Sequence, residues 1–304
     1  MENNFIIEAY NIKKSFGSIV ALDGISFKVK RGEIFGFLGP NGAGKTTTFR
    51  ILTGIIKPDE GNAKISGYDI LKETIKAKDL MGVLPETPNA YPDLSVWKNI
   101  IFIARLYDVK NFEEKAINLL KEFDLYGRKD SKAKELSKGM KQRLLLCMAM
   151  INDPPILLLD EPTSGLDVQS ARLIRKKIMD LGKEGKTIFL TTHNLEEANL
   201  MCDRVAIIKK GRIICIDNPE NLRKITGKNI TVEVKFDREL SEAEKVFKGA
   251  EIDGKTIKIS TESVNDTICY ITDLARDKGL KIESINVEKA SLEDVFIKLV
   301  EEKC

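Results

Sequence analysis

The sequence predicts an α/β fold around a mostly parallel sheet, on three features of its residue pattern. EIFGFLG at 33–39 reads as a short apolar strand, and ILLLD at 156–160 as a continuous apolar strand of the kind buried in a parallel sheet. Beyond them strand and helix patterns alternate: a helix over 168–183, a strand TIFLTT, a helix LEEANLMC and a strand RVAIIKK. Between these parts, 96–151 has helical periodicity, so a helical insertion interrupts the βαβ rhythm.

In chain order, FIIEAYNI and ISFKVK alternate in strand fashion, with Gly17 and Gly24 as turn signals, and KPDEGNAKISGYDI reads as a hairpin. Together these predict an antiparallel β edge subdomain. EIFGFLG leads through a glycine-rich turn into a helix TTTFRILTG closed by Gly54. A strand over 81–84 precedes the proline-punctuated loop LPETPNAYPDLS. The helices VWKNIIFIARLY, FEEKAINLLKEF and the one after ELSKG form a helical subdomain over about 88–152. After GRIICIDNPENLRKITGKN the first unit runs out, giving expected domains of 1–225 and 226–304. The tail offers strands TVEVKF, KTIKIS and KIESINV, a helix near 266–278 and a final helix SLEDVFIKLV, which is a small α+β unit.

At 304 residues, 42% hydrophobic and 31% charged, the chain has the composition of a soluble protein with a sizeable core. A net charge of +3 is too small to point to nucleic acid or a membrane surface. The tail is acidic, with 13 Lys and Arg against 17 Asp and Glu over 226–304. The five cysteines lack metal spacing and fit reduced thiols. MENNFIIEAY does not read as a signal peptide, and no apolar run reaches the ~20 residues that span a bilayer, so a cytoplasmic protein is expected.

GPNGAGKT at 39–46 fits the phosphate-binding pattern G-x-x-x-x-G-K-[ST], between a strand and a helix as it must be. Glycines let successive backbone N–H groups turn inward around a polyphosphate, and the helix adds its positive dipole end. The cradle is Gly39, Pro40, Asn41, Gly42, Ala43, Gly44, Lys45 and Thr46, with Thr47 one place on. Lys45 is expected on the β- and γ-phosphates and Thr46 on Mg²⁺. At the end of ILLLD, Asp160 is placed to hold Mg²⁺, and Glu161 to polarise a water for in-line attack. These residues define a P-loop NTPase. No N-K-x-D guanine reader is evident, which favours ATP.

ELSKGMKQRL stands shortly before ILLLDE, DEPTSGLD continues it, and LTTHNLEEA follows with the chain's one histidine, His193. This ordered set resembles the nucleotide-binding subunit of ATP-binding cassette (ABC) transporters, over roughly 4–222. The resemblance implies that Phe16 stacks on adenine and that His193 meets the γ-phosphate, where a neutral imidazole can donate while the backbone holds its second ring nitrogen. It places Glu86 where the family usually has a glutamine that touches Mg²⁺ and senses the membrane partner. It makes Asp167 a residue that communicates across a dimer, and it points Ser137 and Gly139 at ATP held by Lys45 of the other subunit. The family's usual L-S-G-G-Q reads LSKGM here, with Lys138 and Met140 as departures.

The resemblance also implies partners: a second ATPase subunit, identical or related, and an integral membrane permease, with the chain peripheral on the inner face of the cell membrane. The tail is similar to the extension of multidrug, lipid or polysaccharide-type exporters, so an exporter ATPase is expected. The alternative is a non-transport regulatory ATPase acting on a soluble partner.

Overall fold

The computed structural model describes residues 4–87, 90–224, 230–239, 250–261 and 263–288, which fall into two compact units, Met1–Asn218 and Pro219–Cys304. The expected last helix, SLEDVFIKLV, lies outside the described residues.

In the first unit, β1 (Phe5–Phe16) and β2 (Ile19–Lys30) pair antiparallel, and β4 (Glu60–Ile65) with β5 (Tyr68–Asp69) extends the same sheet in the order β2-β1-β4-β5. The second sheet runs β10-β9-β3-β8-β7-β6. In it β3 (Ile34–Leu38), β6 (Met81–Leu84), β7 (Ile156–Asp160), β8 (Thr187–Thr192) and β9 (Arg204–Lys209) are parallel, and β10 (Arg212–Asp217) returns antiparallel. Every residue of β3, β7 and β8 is buried, which is why these runs contain so little polar alternation. Phe27 of β2 packs on Phe35, Phe37 and Phe189 with centroids 5.4–5.8 Å apart, joining the two sheets. Such ring pairs contribute ~0.5–1.5 kcal/mol each beyond area burial.

The helices are α1 (Lys45–Leu52), α2 (Thr74–Asp79), α3 (Val96–Leu106), α4 (Phe112–Glu122), α5 (Lys138–Met150), α6 (Val168–Lys183) and α7 (Leu195–Met201). The sequence pattern finds all of these except α2, and it also passes over β10. The loop before α3 is held by Asn99, fully buried, which accepts from the Tyr91 N–H at 2.7 Å and donates to the carbonyls of Tyr91, Leu94 and Ser95.

The second unit begins with α8 (Pro219–Lys224) and contains an antiparallel sheet ordered β12-β13-β11-β14. Its strands are β11 (Ile230–Phe236), β12 (Ala250–Asp253), β13 (Thr256–Thr261) and β14 (Ile282–Glu288). With α9 (Val264–Asp277) the sheet encloses its own core of Val232, Val234, Phe236, Ile257, Ile259 and Ile271. The short β12, AEID, carries no strand signal in the sequence.

Candidate functional site

Because β3, β6, β7 and β8 are parallel, their carboxyl ends share one edge of the sheet, where open α/β sheets place ligands. The loops leaving those ends carry, in turn, Gly39 to Gly44, Glu86, Asp160 with Glu161, and His193. Two phosphate-loop glycines are required by close approach. A Cβ on Gly39 would lie 2.4 Å from the Ile208 carbonyl oxygen, and one on Gly44, at φ 111°, 2.7 Å from that of Ala21.

A cavity of about 190 Å³ is lined by Pro40, Asn41, Gly42, Gly44, Lys45, Thr46 and Thr47, with Glu86, Glu161 and the β2 residues Ile19, Val20 and Ala21. Lys45 is 5% exposed. Its ammonium donates to the Gly39 carbonyl at 2.7 Å and the Pro40 carbonyl at 3.3 Å, and pairs with Glu161 Oε1 at 3.3 Å. Gly39 and Ala43 stand behind the lining: Ala43 is buried, and Gly39 donates its N–H to the Thr192 carbonyl at 3.4 Å.

Asp160 is 2% exposed and accepts from the Thr191 hydroxyl on the neighbouring strand. Burial pushes its carboxyl above the usual carboxylate range, and the charges of Glu86 and Glu161 push the same way against the opposing pull of Thr191 and Lys45. Glu161 has φ 48°, a left-handed backbone uncommon for a side chain of this kind and costing ~1–3 kcal/mol. Its N–H donates to the Thr191 carbonyl and hydroxyl, both at 3.1 Å, so the strained turn is fastened to β8. The second carboxylate oxygen of Glu161 lies 2.8 Å from Nδ1 of His193. A carboxylate only accepts, so Nδ1 carries the proton in this contact. The second ring nitrogen is therefore held by Glu161 and not by the backbone, a correction to the expectation from the sequence.

The structure separates the other expected residues from this cavity. Phe16, at the tip of the β1–β2 hairpin, is half exposed and lies under the Lys14 ammonium, 5.4 Å from its ring centroid. The cavity wall on that side is Ile19, Val20 and Ala21, residues with no motif of their own in the sequence. Ser137 caps α5, accepting from the Met140 N–H at 3.3 Å. Gly139 is buried against α6, where a Cβ would come within 2.2 Å of the Ser170 hydroxyl. That hydroxyl donates to Asp167 at 2.7 Å, and Asp167 also caps α6 by accepting from the Ser170 N–H at 2.9 Å. These two bonds hold the Asp167 carboxyl below its usual range. Thus Ser137, Gly139 and Asp167 form one cluster, and among the described residues none of them lines the Lys45 cavity.

A parallel sheet with a phosphate loop on β3, an acidic pair ending β7 and a histidine after β8 defines a P-loop nucleotide triphosphatase. The ABC transporter family model matches residues 22–164. The Nod factor export ATP-binding protein I of Burkholderia orbicola is 37% identical over 302 residues, covering 96% of each chain. The linearmycin resistance ATP-binding protein LnrL of Bacillus subtilis is 38% identical over 75% of this chain and 74% of its own length. Among solved structures, the ATP-binding subunit of an ABC transporter superposes with TM-score 0.68 and 29% identity, over 73% of this chain and 93% of its own. The dimeric post-hydrolysis form of another ATP-binding cassette, bound to ADP and Pi, gives 0.64 at 27% identity over 70% and 98%. The chain belongs to the ATP-binding subunits of ABC transporters, whose general activity is ATP hydrolysis coupled to transport. Among the described residues no helix is long and apolar enough to cross a membrane.

Proposed function

We propose that this chain powers an exporter, working with a second ATPase subunit and an integral membrane permease at the inner face of the cell membrane. Residues 1–225 are the ATP-binding domain, and 226–304 an accessory domain. The export direction is supported by the Nod factor export relatives, whose match covers 96% of this chain and so reaches into the acidic tail. One observation carries the pairing: the phosphate cradle and the Ser137–Gly139 helix start are separate within one chain. Each is half of a site, and a head-to-tail pair with twofold symmetry completes both.

In this reading the backbone N–H groups of the loop and the α1 N-terminus take the phosphates. Lys45 exchanges its loop carbonyls for phosphate oxygens. Phe16 stacks on the adenine beside Ile19 and Val20. Glu161 takes a proton from the attacking water. His193 holds Glu161 through Nδ1 and presents its other ring nitrogen to the γ-phosphate, so one ring positions both the base and the phosphate. Ser137 and Gly139 present the α5 N-terminus, with Asp167 of the same chain beside it, to the ATP of the other subunit.

The residues fit Mg²⁺. Glu86, Asp160 and Glu161 place carboxylate charge around one lysine, and burial, with a smaller push from the two other carboxylates, raises the Asp160 carboxyl. Among the described residues no group of three or more His, Cys, Asp or Glu is built to hold a metal alone, so the nucleotide must complete the donor set. Thr46, Asp160 and Glu86 would hold the ion, which would supply charge neutralisation at the phosphates.

Glu161→Gln keeps the shape of the side chain and removes the base. Hydrolysis is expected to fall by about 10²–10⁴-fold. With Mg²⁺ and ATP the variant should elute from a sizing column as a dimer, and without nucleotide as a monomer. A variant that stays monomeric with saturating Mg²⁺ and ATP sinks the paired-site reading.

A further inference from the structure

Taking Glu161 and His193 in the roles proposed above, we infer that Glu197 is the positioning residue that sets their distance. Glu197 is 4% exposed at the third position of α7. At that position a glutamate commonly turns back to the N–H of the capping residue, completing a capping box. Here it does not. The cap residue Asn194 accepts from the Glu197 N–H at 3.1 Å, but the Asn194 N–H goes to the Thr192 hydroxyl at 2.9 Å.

The Glu197 carboxylate is directed instead at the two loops that carry the chemistry. Oε1 accepts from the hydroxyl of Thr163, two residues beyond Glu161, at 2.5 Å. Oε2 accepts from the hydroxyl of Thr192, the residue before His193, at 3.4 Å. Arg175 of α6 pairs with Oε1 at 3.5 Å and balances the buried charge. These groups meet along a cavity of about 410 Å³ that Glu161 and His193 also line. A buried carboxylate with its acceptors used is rigid, because moving either loop strands a charge in a poorly solvated place. Glu197 therefore ties the strained turn at Glu161 to the loop of His193, and their 2.8 Å contact depends on that tie.

The test uses the full chain and its one histidine, whose ring resonances in a ¹³C-edited NMR spectrum report His193 without assignment. Glu197→Ala should lower kcat for ATP hydrolysis by about 10–100-fold, since small misplacements of reacting groups cost that much. KM for ATP should stay within about twofold, because the phosphate loop is on other elements. The His193 resonances should shift in Glu197→Ala and in Thr163→Val. Glu197→Gln should recover most of kcat, because an amide oxygen still accepts from Thr163. In a His193→Ala background Glu197→Ala should cost nothing further, as expected of groups acting through one another.

A folded Glu197→Ala with kcat near wild type and unmoved His193 resonances overturns the inference, and so does a loss that adds fully to that of His193→Ala. If Glu197→Ala does not fold, Thr163→Val decides by the same two readouts. If instead Glu161→Gln and His193→Ala hydrolyse ATP at the wild-type rate, it is the site assignment that fails.

Discussion

Glu86 stands where the family usually has a glutamine, and the structure shows what its charge does. It lines the Lys45 cavity and is one of two carboxylates that push the Asp160 carboxyl upward. Removing that charge relieves Asp160 but also lowers the negative potential that attracts a divalent cation. One carboxylate charge in a partly solvated site contributes ~1 kcal/mol or somewhat more. Glu86→Gln is thus expected to retain ATP hydrolysis while needing about fivefold more Mg²⁺ for half-maximal rate. A magnesium titration of initial rates checks this, and an unchanged midpoint removes Glu86 from the metal site. The residues expected in the site from their motifs were those whose chemistry repeats locally: glycines before Lys45, carboxylates after an apolar strand. Val20, Thr191 and Glu197 gave no such signal. Each acts through a neighbour brought close by the sheet, so its part depends on pairing that no linear spacing encodes.

The same division holds for the elements. The wholly buried β3, β7 and β8, and the strongly periodic α6, are legible because burial alone decides them. The six-residue helix TIKAKD, with one buried residue, and the strand AEID are decided by their neighbours, and their sequence carries too little pattern to show it. Helix α5 illustrates how one residue can serve two purposes. Ser137 is a cap by its bond to the Met140 N–H, and by the proposed pairing it also faces phosphate. The two can be separated. Ser137→Ala loses the cap at a cost of ~1 kcal/mol. Ser137→Asp keeps an equally good cap and adds favourable charge at the helix start, so its melting temperature should match wild type or exceed it. Its carboxylate would repel a γ-phosphate, so ATP-driven dimerisation should be lost in this variant. A Ser137→Asp protein that still dimerises with Mg²⁺ and ATP shows that α5 begins with a cap and nothing more.

Among the described residues each unit has an apolar core of its own. One is centred on the Phe27, Phe35, Phe37 and Phe189 cluster and its neighbours, the other on Val232, Val234, Phe236 and Ile257. The residues proposed to bind nucleotide all belong to the first unit. A ligand stabilises only what folds to bind it, by RT ln(1 + [L]/Kd), or ~2.7 kcal/mol at a hundredfold excess over Kd. For a unit of this size that is a rise of about 2–4 °C for each kcal/mol. Calorimetry of the full chain should therefore resolve two transitions. Mg²⁺ with a non-hydrolysable ATP analogue should raise the larger one and leave the smaller in place. Chelating the metal should remove most of the shift without lowering either transition below its nucleotide-free position, because the shift comes from the nucleotide with its metal and not from the free protein. One cooperative transition that moves as a whole would mean that the acidic tail is part of the nucleotide-binding folding unit. The division between Asn218 and Pro219 would then not separate independent domains.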